Sequence, residues 1–130
     1  MDDVLIRIDL NSGVPAYRQI VDAIRVLLVN GKLEAGAELP SVRRLAIELG
    51  VHFNTVGEAY RQLAGEGWLD LRHGRGVTVA ERERPAAMPA ERIEEFRTQL
   101  RNLVAQMRSE GLAPARIAAE LRTAMESLKP

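Results

Sequence analysis

The feature that most constrains the fold of this chain is the order of short motifs between residues 41 and 79. Two stretches with apolar residues at helical spacing precede two short apolar runs, which flank a glycine-containing turn at 73–76. Ser41 is a favoured helix N-cap, Gly50 and Gly67 are favoured helix ends, and glycines supply the backbone conformations that tight turns need. This order predicts helix, tight turn, helix and short hairpin, which together form a winged helix-turn-helix.

The flanking segments extend this fold. Residues 4–10 predict a short extended start, and residues 15–30 predict a first helix, because a proline suits the first helical turn and apolar residues then repeat at helical spacing. Residues 33–40 are predicted to form a loop. The two strands of the wing are predicted at 68–72 and 77–80. The predicted fold class is therefore mainly α with a small β-wing.

The composition changes at residues 81–90, where alternating charges and two prolines interrupt the regular pattern. This segment predicts a linker between a winged domain at 1–80 and a tail at 91–130. The tail predicts two amphipathic helices, with these apolar positions at helical spacing: Ile93, Phe96, Leu100, Leu103, Met107, Ile117, Leu121, Met125 and Leu128. Segments of this size bury too little surface to be stable alone. Their apolar stripes could cover the winged domain of the same chain, but the hairpin layout favours a dimerisation hairpin that pairs with a second copy.

The composition narrows the class of protein. With 46% hydrophobic and 28% charged residues, it is typical of a soluble globular protein, and the lack of cysteine excludes disulfides and thiolate metal sites. The longest aliphatic run, 26–29, is far shorter than the roughly 20 residues of a membrane span, so we expect a cytoplasmic protein without a membrane partner. No nucleophile stands beside a base, and we expect neither an enzyme nor a cofactor.

The formal net charge of zero is the main observation against a nucleic-acid partner, because DNA-binding domains are usually basic. The placement of the basic residues nevertheless favours a nucleic-acid partner. Those in the motif are Arg43, Arg44, Arg61, Arg72, His73 and Arg75. The acidic residues Glu48 and Glu66 fall at predicted helix ends. We therefore expect double-stranded DNA as the partner, with modest non-specific affinity, because that affinity scales with the number of phosphates neutralised.

The third predicted helix has one apolar and one polar side. Its apolar stripe consists of Val56, Ala59, Tyr60 and Leu63. Asn54, Glu58 and Arg61 must then face the other way. An arginine fork matches the edge of guanine or two phosphate oxygens, and a good bidentate base contact contributes about 1–3 kcal/mol of discrimination, so Arg61 and Arg43 are the first candidates. The free amides at the amino end of the helix, with Asn54 and Thr55, predict a phosphate contact.

The most specific sequence words are Pro15-Ala16-Tyr17-Arg18-Gln19-Ile20, Leu39-Pro40-Ser41-Val42-Arg43-Arg44-Leu45-Ala46, Asn54-Thr55-Val56, Ala59-Tyr60-Arg61-Gln62-Leu63, Gly67-Trp68-Leu69 and Gly74-Arg75-Gly76. In this order and spacing, the chain resembles the GntR family of bacterial transcription regulators, and its two-helix tail resembles the short, YtrA-like branch. The resemblance implies that Arg43 contacts DNA from the second helix, that residues 52–57 open the recognition helix, and that His73 and Gly74 of the wing reach the minor groove. It also implies a regulator without a large ligand-binding domain, of a branch that often controls transporter operons.

The predicted DNA-binding residues are Ser41, Arg43, Arg44, His52, Phe53, Asn54, Thr55, Gly57, Arg61, His73, Gly74 and Arg75. Two of them depart from the family pattern. Phe53 stands where members often carry a polar residue or arginine, and Gly57 stands where many carry arginine or another side chain. Each removes a possible contact, so the usual operator half-site of the family is not carried over. Gly57 costs about 1 kcal/mol against alanine in a helix, and it either lets DNA approach closely or is tolerated without a role.

The leading prediction is a sequence-specific repressor that binds an inverted-repeat DNA operator as a homodimer. The alternative is a winged-helix adaptor that binds protein and not specific DNA. Arg43 and Arg44 could instead lie on a solvated helix face, and Arg75 could be an ordinary hairpin tip. His52 and His73 lack the carboxylate or cysteine pattern that a metal site needs. A small-molecule effector bound between winged domain and hairpin stays open.

Overall fold

The computed structural model describes residues 6–71, 76–81, 87–126 and 128. The chain divides into two compact units, Met1–Glu83 and Arg84–Pro130. The boundary between the units falls inside the segment that the sequence predicts as a linker. We refer to them below as the winged unit and the tail unit.

Three helices form most of the winged unit: α1 at Ala16–Val29, α2 at Val42–Leu49 and α3 at Phe53–Gly65. Helix α3 is central, since it packs against both α1 and α2. Each helix contributes one apolar face to a single core, and the most deeply buried large side chains are Tyr60, Ile20, Leu45, Leu63, Val21 and Val56. The buried face of α3 is the predicted stripe, which confirms the helical period read from the sequence.

Local capping sets the bounds of α2. The Ser41 hydroxyl oxygen accepts a hydrogen bond from the Arg44 backbone N–H at 3.1 Å, and this bond satisfies one of the free amides of the first turn. At the other end Gly50 adopts φ 74°, a left-handed conformation that favours glycine, and its N–H donates to the Ala46 carbonyl at 2.9 Å. Both predicted caps are therefore confirmed, and they fix where the chain turns from α2 into α3.

A three-stranded antiparallel sheet completes the winged unit, in the order β1, β3, β2. Strands β2 at Leu69–Asp70 and β3 at Val77–Val79 are shorter than predicted. Strand β1 at Glu38–Leu39 lies in the stretch predicted as a loop, so that prediction is wrong at these two residues. Leu39 pairs with Val77, and the backbone N–H of Val79 donates to the Ala37 carbonyl at 2.9 Å. The predicted extended start shows no strand in its described part, residues 6–10.

A buried tyrosine connects α3 to the segment that leads into α2. The Tyr60 hydroxyl donates a hydrogen bond to the Pro40 carbonyl at 2.8 Å. Burial, with a smaller contribution from the negative charge of Glu48, raises the pKa of Tyr60 far above its usual range. The phenol therefore stays protonated and keeps donating, which holds the start of α2 beside α3.

The tail unit consists of α4 at Ala90–Ser109 and α5 at Pro114–Glu126, which pack against each other. No residue of α4 is buried, and Ile117 is the buried residue of α5. Most of the predicted apolar positions are exposed: Ile93, Phe96, Leu100, Leu103, Leu121, Met125 and Leu128. Among the described residues, no helix has the length and apolar character that crossing a bilayer requires.

Candidate nucleic-acid interface

The solvent side of α3 carries the polar side chains that the sequence assigned to it. Asn54, Glu58 and Arg61 are all exposed, and they lie opposite the face that enters the core. Thr55 is half-buried, so its side chain is less available than that of Asn54. The prediction that Asn54, Glu58 and Arg61 face away from the apolar stripe is confirmed.

His52 begins α3 as its N-cap. Its Nδ1 accepts a hydrogen bond from the Asn54 backbone N–H at 3.0 Å. This bond satisfies one of the free amides at the amino end of α3. Sequence reasoning placed His52 at the start of the helix but did not predict this cap, because histidine is not among the usual N-cap residues.

The exposed side chain of Phe53, at the start of α3, lies close to residues of both helices of the motif. Its ring stacks on His52, with centroids 4.6 Å apart and planes 25° apart. The Arg43 guanidinium carbon lies 5.8 Å from the centroid of the same ring, within cation–π range. Phe53 nevertheless stays 48% exposed. The sequence interpretation treated Phe53 as a lost contact, whereas the structure gives the ring two neighbours that are themselves predicted DNA-binding residues.

The neighbouring arginines of α2 differ in their surroundings. Arg44 forms an ion pair with Glu48 one turn later, with Nε and Oε1 3.1 Å apart. Arg43 has no carboxylate partner among the described residues. This difference favours Arg43 over Arg44 as a side chain available to a partner.

Gly57 is buried beneath the side chain of Arg61. A Cβ built on Gly57 would lie 3.2 Å from Nη1 of Arg61, which is closer than ordinary van der Waals contact. The guanidinium of Arg61 therefore reaches back one turn along α3 and occupies space that a side chain at position 57 would need. The sequence leaves two explanations for Gly57, close approach of DNA or no role. The structure adds a third, which is that glycine leaves room for the Arg61 guanidinium.

The remaining predicted site residues divide into two groups. Ser41 is engaged as the cap of α2, so a DNA contact would have to use its remaining hydrogen-bonding capacity. His73, Gly74 and Arg75 lie outside the described residues. Within the described residues, no three His, Cys, Asp or Glu side chains come together in a way that could hold a metal ion.

One residue on this surface was missed by sequence reasoning. Ile47 lies one turn after Arg43 in α2, so the two side chains share a helix face. Its side chain is 81% exposed, an unusual position for isoleucine. The available signal was an apolar residue on the polar side of the α2 pattern, next to the arginine that the sequence singled out.

This combination of fold and surface is that of a winged helix-turn-helix DNA-binding protein, with α2 and α3 as the two helices of the motif. The sequence matches the family described as bacterial regulatory proteins, gntR family, over residues 16–79. It is also 33% identical over 100 residues to the HTH-type transcriptional repressor YtrA of Bacillus subtilis, a match that covers 77% of this chain and 76% of YtrA. The chain belongs to the GntR family and to its short, YtrA-like branch.

Two solved structures extend the comparison. YtrA from Sulfolobus acidocaldarius, a GntR-family transcription factor, aligns with a TM-score of 0.56 and 33% identity, covering 93% of this chain and 97% of the other. The DNA-binding domain of AraR, solved in complex with operator ORE1, aligns with a TM-score of 0.50 and 29% identity, covering 60% of this chain and 98% of that domain. The chain is thus a DNA-binding transcriptional regulator and not an enzyme, as the sequence predicted.

Proposed function

We propose that this protein is a transcriptional repressor that acts as a homodimer on an inverted-repeat operator. The observation that carries the proposal is the pair of exposed arginines, Arg43 and Arg61, on the two helices of the motif. Neither has a carboxylate partner among the described residues. An exposed guanidinium without an internal partner is suited to guanine or phosphate, because both present two acceptors to its planar fork.

Each part of the surface has a role in this proposal. The backbone amides at the amino end of α3 bind a phosphate, helped by Asn54. Arg43 and Arg61 contact base edges or phosphates of the major groove. His73 and Gly74 reach the minor groove, a role that rests on the family resemblance alone, and Arg75 adds a further DNA contact next to them in the sequence. These contacts require that α3 lies in the groove with its exposed face inward.

The tail unit supplies the second half of the proposal. A two-helix unit of this size buries too little surface for independent stability, and α4 leaves its apolar positions in solvent. A second copy presents the same apolar face, so a twofold pair covers both at once. Two copies related in this way carry two recognition helices, and a twofold arrangement of recognition helices requires an inverted repeat.

Repression is the simplest outcome for such a dimer. A protein that occupies promoter DNA blocks access of the polymerase without needing a further domain, and the relative YtrA of Bacillus subtilis is named a repressor. Because the proposed target is double-stranded DNA, the proposal places the protein in the cytoplasm. The experiment below identifies the operator sequence.

Selection of bound sequences from a random duplex library, with the full chain as bait, tests the proposal. We expect enrichment of an inverted repeat, and sedimentation of the complex should give two protein copies per duplex. Binding to the selected duplex should weaken steeply with salt. The logarithm of the association constant falls against the logarithm of salt concentration with a slope of about −0.9 for each phosphate neutralised. A failure to enrich any sequence, together with flat salt dependence, would contradict the proposal and favour a protein-binding adaptor.

A further inference from the structure

We propose that Phe53 recognises the 5-methyl group of a thymine in each half of the operator. The inference rests on the proposed function, because it requires α3 to lie in a major groove. It assigns a specificity-determining role to a residue that stands where the family often has a polar side chain. The recognised ligand group is therefore one methyl group on one base of each half-site.

The position of Phe53 in the helix is the first argument. It is the first residue of α3, directly after the N-cap, and the amino-terminal residues of a recognition helix are those that reach base edges. The ring is 48% exposed and takes no part in the buried core. An aromatic ring in water gains from any apolar surface that covers it.

The chemistry of the groove is the second argument. The major-groove edges of the four base pairs present hydrogen-bond donors and acceptors, and the thymine methyl is the one large apolar group among them. Phenylalanine cannot donate to or accept from the polar edges in the plane of the bases. A thymine methyl is therefore the groove feature that a phenyl ring distinguishes best.

The neighbours of the ring are the third argument. The His52 and Phe53 ring centroids are 4.6 Å apart, and the Arg43 guanidinium carbon lies 5.8 Å from the Phe53 centroid, so two neighbours restrict the orientation of the ring. Arg43 is suited to guanine. Since successive base pairs are about 3.4 Å apart, the separation of 5.8 Å corresponds to fewer than two steps. The thymine that Phe53 contacts should thus lie within two base pairs of a guanine that Arg43 contacts.

Deoxyuridine provides the probe, because it differs from thymidine only in lacking the methyl group. In the selected operator each thymine is replaced singly, and affinity of the full chain is measured by fluorescence anisotropy. One thymine per half-site should be sensitive, with a loss of about fourfold, the value of one buried methyl group, and of about fifteenfold when both half-sites are changed. Thymines elsewhere in the operator should tolerate the replacement.

The variant Phe53→Ala connects the sensitive thymine to the ring. It should bind the thymine and deoxyuridine operators equally, and Phe53→Leu should keep part of the difference. Val26→Ala changes another exposed apolar residue, on α1, and should leave the full thymine preference in place. Circular dichroism should be unchanged in all three variants, because neither side chain is in the core.

Three outcomes would overturn the inference. If the wild-type chain binds every singly substituted operator as well as the original, no methyl group is read. If Phe53→Ala loses the same factor on both operators, the ring serves only to support Arg43. Each of these leaves the proposed repressor intact, whereas a failure to select any operator would overturn both.

Discussion

The winged unit buries most of the apolar residues on its helices, whereas the tail unit leaves most of its apolar helix positions exposed. In the winged unit the apolar residues fill one core, while Arg43 and Arg61 remain exposed. In the tail unit Phe96, Leu100 and Leu103 are exposed, while several arginines are paired with acids three or four positions away along the same helix. These pairs are Arg92 with Glu95, Arg97 with Glu94, and Arg116 with Glu120.

The contrast explains how a chain of zero net charge belongs to a DNA-binding family. Charges paired within one turn of a helix cancel locally, and exposed charges are screened beyond about 10 Å at 0.1 M salt. The total is therefore a poor measure of the field at α3, where individual unpaired guanidinium groups matter more. The exposed apolar faces of the tail unit are the surface that the proposed homodimer would cover.

The largest effect is expected from a charge placed on the apolar face of α4. Leu100 is 51% exposed, so Leu100→Glu should leave the tail helices formed but disfavour pairing of two copies. Loss of the second half-site removes the gain from linked binding, which is about 100-fold or more. Sedimentation should show a monomer, and gel shift should show affinity for the selected operator reduced by that factor.

Asn102→Glu is the matched control for this change. It adds the same charge to an exposed position of α4 on the side away from the apolar stripe. We expect it to remain a dimer with full operator affinity. A dimeric Leu100→Glu protein would place the pairing surface elsewhere and would remove the comparison drawn between the two units.

The second effect concerns the free arginine of α2. Arg43→Ala should weaken binding to the selected operator at least about tenfold, because a bidentate contact to a base contributes about 1–3 kcal/mol. Arg44→Ala removes the same charge one residue away, but from a side chain that is paired with Glu48. It should cost only a small factor. Equal losses for the two variants in fluorescence anisotropy would indicate a general electrostatic effect and would remove Arg43 from the base-reading set.

The third effect is on stability and is confined to the winged unit. Tyr60→Phe removes the hydrogen bond to the Pro40 carbonyl, which lies in the core-side connection to α2. A neutral hydrogen bond of this kind contributes about 1 kcal/mol. Urea unfolding should show a decrease of that size in the free energy of unfolding, with dimerisation unchanged in sedimentation. Unchanged stability would mean that water replaces the hydroxyl.

How much the sequence revealed depended on how local each feature is. Ser41 and Gly50 act within one helical turn, and both caps were predicted. Strand β1 was not, since two residues become a strand only through their pairing with Val77 and Thr78, which are distant in sequence. The contact of Arg43 with Phe53 joins two helices and likewise has no local signature. Helical spacing puts Arg61 one turn after Gly57, but nothing in the sequence predicts that its guanidinium occupies the space beside the glycine.

The smallest effect is expected at Gly57, and its two components have opposite signs. Gly57→Ala should stabilise α3 by up to about 1 kcal/mol, the difference between the helix propensities of glycine and alanine. The added methyl would meet the Arg61 guanidinium at 3.2 Å and displace it by a few tenths of an ångström, because the end of that side chain is flexible. Arg61 would then lose part of a contact of about 1–3 kcal/mol, so operator affinity should fall about threefold while the unfolding midpoint rises.

A double-mutant cycle decides whether this loss acts through Arg61. In the Arg61→Ala background there is no guanidinium to displace, and Gly57→Ala should then leave affinity unchanged while still raising stability. If the alanine weakens binding equally in both backgrounds, the methyl group meets DNA directly, and Gly57 is present because DNA approaches the helix closely. If affinity is unaffected in both backgrounds, Gly57 has no role in recognition. Any DNA contact of Arg61 then does not require a glycine at position 57.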